Sequence, residues 1–195
     1  MKTIDEYPWG VADIPWTIVG KGPSLQALLD CSPPGLRMGI NDSCSSIHVN
    51  IVIITGLLAL DLLAPHILHF QSLFVPHALV DTNKGTDPTV RIGIGDIEHD
   101  VLQHCDSRTY VYPWNNGPGS ITAWNNTSEA AFEIVCRYAP CRQIITAGID
   151  GGTEYHGAFA GTTTNIDHQK QFDTMVRLAR QHGMKWLRWG QPVPA

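Results

Sequence analysis

Short β-rich runs alternate with helical patterns and turns along this chain, and that alternation constrains the fold most, because it is the signature of an α/β domain on a mainly parallel sheet. Strands are expected at Trp16–Val19, Arg37–Ile40, Asn50–Thr55, Ser72–Val75, Thr109–Tyr112, Gln143–Ala147 and Lys185–Trp189. Two helices stand out towards the C-terminal end. From Thr127 to Tyr138, Ala131, Ile134, Val135 and Tyr138 recur at helical spacing, and Asn126 with Glu129 three residues on makes a variant capping box. From Asp167 to His182, Phe172, Met175, Val176 and Ala179 build an apolar stripe that Gly183 is placed to end. A chain of 195 residues with ordinary apolar and charged content suffices for one well-cored domain, so a single α/β domain over 1–195 is expected. Between Val80 and Ser107 the pattern weakens into Asp, Gly, Thr and Pro punctuation, which reads as a lid or insertion at 80–107.

Within that frame, Trp16-Thr17-Ile18-Val19-Gly20-Lys21-Gly22-Pro23-Ser24-Leu25 reads as a buried strand running into a phosphate-sized turn and then a helix. The glycines let the backbone turn sharply and approach a ligand. Pro23 suits a first helical position, and the amides after it would face an arriving anion. Neither common phosphate motif is complete: the dinucleotide fingerprint needs a third glycine where Leu25 stands, and the ATP loop needs Gly-Lys-Ser/Thr where Gly20-Lys21-Gly22 stands. The segment is therefore read equally well as plain turn chemistry.

In a parallel sheet, ligands sit beyond the carboxyl ends of the strands. The residues expected there are small and polar: Gly20 to Ser24, Asn41-Asp42-Ser43, Asn115 to Ser120, Asn125 to Ser128 and Gly148-Ile149-Asp150-Gly151-Gly152. Asn41 is the sharper signal, since its amide can both donate and accept, although turn-forming asparagines are common.

Other features exclude function classes. No apolar run approaches the roughly 20 residues that span a bilayer, and Met1 to Glu6 leads into no apolar signal core, so a soluble cytoplasmic protein is expected. The five cysteines are odd in number and lack paired spacing, which favours reduced thiols over a disulfide frame or zinc knuckle. The sequons at Asn41 and Asn125 are then unmodified. A net charge of −5 argues against a nucleic-acid coat, although Lys170, Arg177, Arg180, Lys185 and Arg188 make the C-terminal segment locally basic, read as a solvated helix face. His66 with His69, and His99, His104 and Cys105 with Asp96, Glu98 and Asp100, lack familiar ligand spacing and read as satisfied polar faces. Trp114 and Trp124 flank a Gly-rich tract and suit either stacking on a sugar or base, or anchoring the loop; Trp186 and Trp189 read as packing.

The order of these pieces brings a family into view. Ile18 to Leu25, then Gly39-Ile40-Asn41, then Thr127-Ser128 opening a helix, then Ile145-Thr146-Ala147-Gly148-Ile149-Asp150, with Tyr155 and later His168 at the last helix, resembles the bacterial sialyltransferases of glycosyltransferase family 42. It also resembles the related domain of unknown function 115, which includes archaeal hydroxymethylpterin pyrophosphokinases. The resemblance runs roughly from Trp16 to Trp189. It implies a Rossmann-like fold that binds one nucleotide, works without metal or other cofactor, and transfers sugar from a CMP-activated donor with inversion. It implies His168 as general base and Tyr155 as donor to the leaving phosphate. The implied substrate-binding set is Gly20, Gly22, Pro23, Ser24, Asn41, Asn126, Thr127, Ser128 and Asp150.

The chain departs from the family around the sugar. The family helix opens with Thr-Ser-Gly after an arginine, whereas here Asn125-Asn126 precede Thr127-Ser128 and Glu129 follows. Gly151-Gly152 stand where the family carries an aromatic, and Tyr155 is what remains of a tyrosine pair. A neutral sugar on a nucleotide is thus as compatible as sialic acid. The acceptor hydroxyl is left open among a glycan, a small molecule and a modified nucleic-acid base, as is a homo-oligomer. Two alternatives stand beside the transferase: an ATP- and magnesium-dependent diphosphotransferase of the pyrophosphokinase type, with Asp96, Glu98 and Asp100 as its metal cluster, and a non-catalytic nucleotide-binding module.

Overall fold

A computed structural model of the chain describes residues 1–10, 14–80, 91–113, 126–151, 155–159 and 168–190. The elements are β1 (Lys2–Thr3), β2 (Trp16–Val19), α1 (Leu25–Asp30), β3 (Leu36–Ile40), β4 (Val49–Ile53), α2 (Leu58–Leu63), β5 (Phe70–Pro76), β6 (Ala78–Val80), β7 (Arg91–Gly93), α3 (Asp100–Cys105), β8 (Thr109–Tyr112), α4 (Thr127–Tyr138), β9 (Gln143–Ala147), α5 (Gln171–Gln181) and β10 (Lys185–Arg188). Among the described residues, eight strands form one sheet in the order β1-β8-β5-β4-β3-β2-β9-β10, with every neighbouring pair parallel. The remaining two, β6 and β7, pair antiparallel as a separate ribbon between β5 and β8.

Helices cover both faces of the sheet, which explains why β2 is a continuous buried run rather than an alternating one. Trp16, Ile18, Met38, Ile51, Ile53 and Phe74 point to the face covered by α4 and α5, where they meet Phe132, Ile134, Val135, Phe172 and Met175. Val19, Val49, Val52, Leu73 and Val75 point the other way, onto Leu25 and Leu28 of α1, Leu60 and Leu63 of α2, and Leu102 of α3. The architecture is the expected single α/β domain with a mainly parallel sheet.

Strands β2, β8 and β9 and helix α4 have the bounds read from the sequence, and β3, β4, β5 and β10 shift by one or two residues at their ends. The last helix differs more. A 3-10 turn over His168–Lys170 precedes α5, which begins at Gln171 and ends at Gln181, two residues before Gly183 with its φ of +64. Trp186 and Trp189 pack as expected: the Trp186 indole N–H donates to Thr146 Oγ1 (3.0 Å), and that of Trp189 to the backbone carbonyls of Ala27 (3.2 Å) and Cys31 (3.0 Å).

Cys31 is exposed, and the other four thiols are buried. Burial pushes Cys44 and Cys136 up to about 12 and raises Cys105 and Cys141, so these thiols stay protonated and poorly nucleophilic at neutral pH. Among the described residues no helix is long and apolar enough to cross a membrane.

Candidate functional site

The sheet order runs away from β2 in two directions, through β3, β4, β5 and β8 on one side and through β9 and β10 on the other. The carboxyl ends of β2 and β9 therefore flank the topological switch point, where open α/β sheets bind ligands. Two loops meet there. Gly20 N–H donates to the Ala147 carbonyl (2.8 Å), Gly22 N–H to the Gly148 carbonyl (2.7 Å), and Gly148 N–H to Ser24 Oγ (2.8 Å).

Their closeness accounts for the glycines. A Cβ on Gly20 would lie 2.3 Å from the Gly148 carbonyl oxygen, and one on Gly148, where φ is +67, would lie 2.6 Å from the Gly20 carbonyl oxygen. A Cβ on Gly22 would lie 2.4 Å from Asp150 Oδ2. What the sequence suggested was room for a phosphate; what the glycines meet is the neighbouring loop. The turn itself also differs from expectation. Pro23 sits ahead of the helix rather than in its first position, since α1 begins at Leu25 after Ser24 as N-cap. The Ser24 amide does not face outward either: it donates to Asp150 Oδ2 at 2.7 Å. The carboxylate satisfies a donor that the start of a helix leaves unpaired, and the charge strengthens the bond.

Asn41 forms the next wall, at the end of β3. Its φ of +52 lies in the left-handed region, which asparagine tolerates better than most residues and which recurs at functional positions. Beside it, Lys21 Nζ donates to Asp42 Oδ1 at 2.8 Å, and each of the two side chains is 15% exposed. The Lys21 ammonium also lies 5.0 Å from the Tyr155 ring centre and 5.4 Å from that of Phe159. His156 N–H donates to the Lys21 carbonyl (2.6 Å), so the backbone beside Tyr155 is fastened to the β2 turn. Lys21 was missed as a site residue. Its one sequence signal is a lysine between two glycines at a strand end.

The third wall is the start of α4. Asn126 caps the helix by accepting from Glu129 N–H at 3.0 Å, Thr55 and Thr127 share a hydroxyl hydrogen bond of 2.7 Å, and the Ser128 hydroxyl contacts the side-chain oxygens of Asn126 and Gln171. Gln171 opens α5, so the two helix starts are tied together. Gln169 closes on the β9 loop as well: a Cβ on Gly151 would lie 2.8 Å from Gln169 Oε1. The structure thereby brings the backbone of His168 to this edge, while its side chain lies outside the described residues. Glu129, which follows Thr127-Ser128 where the family carries glycine, is 1% exposed. Asn115 to Ser120, Trp114, Trp124, Asn125 and Gly152 also lie outside the described residues.

His69, His99 and His104, singled out in the sequence, are engaged elsewhere. His99 pairs with Asp61 (3.1 Å) and accepts from Val101 N–H, His104 bonds the Asp100 carbonyl, and His69 bonds that of Cys44. Among the described residues no group of three or more His, Cys, Asp or Glu side chains is arranged to hold a metal ion, the Asp96, Glu98 and Asp100 set included. A cavity of about 350 Å³ lies between the C-terminal ends of α4 and α5, lined by Cys136, Cys141, Arg142, His182 and Met184, at the amino edge of the sheet.

No protein-family model matches the chain, and no curated protein matches it. Solved structures do share its fold. The MAf glycosyltransferase from Magnetospirillum magneticum AMB-1 superposes with a TM-score of 0.57 at 11% identity, over 95% of this chain and 35% of its own. This chain thus spans about a third of that protein's length. The sialyltransferase CstII from Campylobacter jejuni, solved with the substrate analogue cytidine-5'-monophosphate, superposes with a TM-score of 0.54 at 12% identity, over 92% of this chain and 81% of its own. At these identities the likeness concerns architecture: the chain shares a Rossmann-like fold with these two proteins.

Proposed function

We propose that the protein is a glycosyltransferase that moves a sugar from a nucleotide-activated donor to an acceptor hydroxyl, with His168 as general base. The observation that carries this reading is the convergence of the Gly20–Ser24 turn, Asn41, the Gly148–Asp150 turn and the start of α4 at one edge of the sheet, around its switch point. The fold shared with two glycosyltransferases supports it. Transfer requires removal of the acceptor proton as the donor bond breaks, and an imidazole with an ordinary pKa of about 6.5 takes that proton near neutral pH. The leaving nucleotide gains negative charge. Because the Gly22 and Ser24 amides are spent on Gly148 and Asp150, side chains carry that charge, with the Tyr155 hydroxyl and the Asn41 amide as donors. The segment 80–107, which follows β6 and includes β7 and α3, is the lid or insertion in this reading.

The donor is tested by incubating the protein with CMP-, UDP- and GDP-activated sugars and a panel of glycan and small-molecule acceptors, and following nucleotide release. Acceptor-dependent release from one donor class, persisting in EDTA, is expected. Release from none of them, or diphosphate transfer from ATP that needs magnesium, would overturn the reading.

A further inference from the structure

We infer that Lys21 is the cation that receives the phosphate of the donor nucleotide, held ready by Asp42 and by the rings of Tyr155 and Phe159; this rests on reading the switch-point edge as a nucleotide site. A lysine in a surface turn ordinarily extends its head into water. Here the side chain is 15% exposed and its ammonium is drawn in against Asp42 Oδ1 at 2.8 Å, with two aromatic rings about it. Stability does not explain that placement. A shielded ion pair roughly breaks even with apolar residues of the same volume, so the pair itself gives the fold no net reason to keep two charges there. Hydrogen-bond capacity points the same way. An ammonium has three donors, and Asp42 is the one side-chain acceptor that Lys21 has among the described residues. Among the described residues, two N–H groups remain for the oxygens of an incoming phosphate, which lysine binds as a point charge.

Position completes the case. Lys21 lies between Gly20 and Gly22, whose amides are tied to the β9 loop, and its partner Asp42 follows Asn41. The cation is therefore fixed from both the β2 and β3 turns, beside the switch point that lies between β2 and β9. Asp42 balances the charge while the site is empty and orients the ammonium. Asp42 is a positioning residue, whereas Lys21 contacts the ligand.

The test compares CMP, UDP and GDP, each with its own nucleoside, by calorimetry on the wild-type protein, Lys21→Met and Lys21→Arg. Wild-type protein is expected to prefer one nucleotide over its nucleoside. Lys21→Met should weaken that nucleotide at least about tenfold, leave the nucleoside within about twofold, and flatten the salt dependence of binding, while Lys21→Arg keeps most of the preference. Should methionine prevent folding, Lys21→Gln, which keeps a polar head without charge, is expected to show the same collapse. A preference that survives both neutral variants would overturn the assignment of Lys21 and leave the nucleotide site standing. Equal weakening of nucleotide and nucleoside would reduce Lys21 to packing and overturn it too. Binding of no nucleotide by the wild-type protein would remove the reading on which it rests.

Discussion

His168→Ala is expected to turn over at least about a hundredfold more slowly than the wild-type enzyme while binding nucleotide within about twofold of it. A positioned general base contributes roughly 10²–10⁴-fold, and it acts on the acceptor proton, so its loss falls on the chemical step rather than on donor affinity. The placement of its backbone makes the role feasible. His168 opens the turn that leads into α5, and two residues of that segment reach the site edge: Gln169 stands against Gly151 and Gln171 contacts Ser128 at the start of α4. The pH–rate profile provides a second readout. The wild-type rate should fall on the acid side as the imidazole takes up a proton, and the variant should lack that limb. Full activity in His168→Ala would remove this residue from the chemistry, and a loss confined to nucleotide affinity would move it to the binding site.

Gly148→Val is expected to destabilise the fold by at least about 3 kcal/mol, a fall of roughly 6 °C or more in Tm for a domain of this size. A left-handed φ of +67 alone costs a side-chain-bearing residue about 1–2 kcal/mol, and more when it is β-branched. The new Cβ would also stand 2.6 Å from the Gly20 carbonyl oxygen, 2.7 Å from its carbon and 3.2 Å from Gly22 N. All three are backbone atoms. They cannot retreat without stretching the Gly20–Ala147 and Gly22–Gly148 hydrogen bonds that lace the two loops. Gly183→Ala is the control: φ there is +64, yet nothing lies within 4 Å of the new Cβ, so only the backbone term of about 1–2 kcal/mol is expected. Thermal denaturation of the two variants separates strain from crowding, and a Gly148→Val protein melting within about 2 °C of wild type would refute the crowded-loop account.

The elements that could be read from the sequence are those whose signal is local. Helix α4 carries its apolar spacing and its Asn126 cap together, and β2, β8 and β9 are compact β-rich runs. β1 has no such signal, because Lys2 and Thr3 join the sheet through backbone pairing with Tyr110 and Val111 and bury no side chains. α2 reads Leu-Ala-Leu-Asp-Leu-Leu, apolar on most sides, so no stripe marks it as helical. At the site, the need for glycine at positions 20 and 22 was visible, but sequence cannot distinguish a ligand from another loop as the reason. The bond from the Ser24 amide to Asp150 joins residues 126 positions apart, and the Lys21–Asp42 pair joins residues 21 apart. Neither leaves a pattern within one turn of chain. The family resemblance reached the right architecture because it weighed the order of motifs along the sheet edge, which is a property of topology.

Amide hydrogen exchange with and without the bound nucleotide tests the central claim most directly, since it reports where a ligand protects the backbone rather than whether one binds. Added protection is predicted in 20–24, 41–45 and 148–151, the three turns at the carboxyl edge around β2, with little change across 136–142 and 182–184 at the opposite edge. Protection centred on the cavity beside Cys136, Arg142 and His182, with the three turns unaffected, would contradict it.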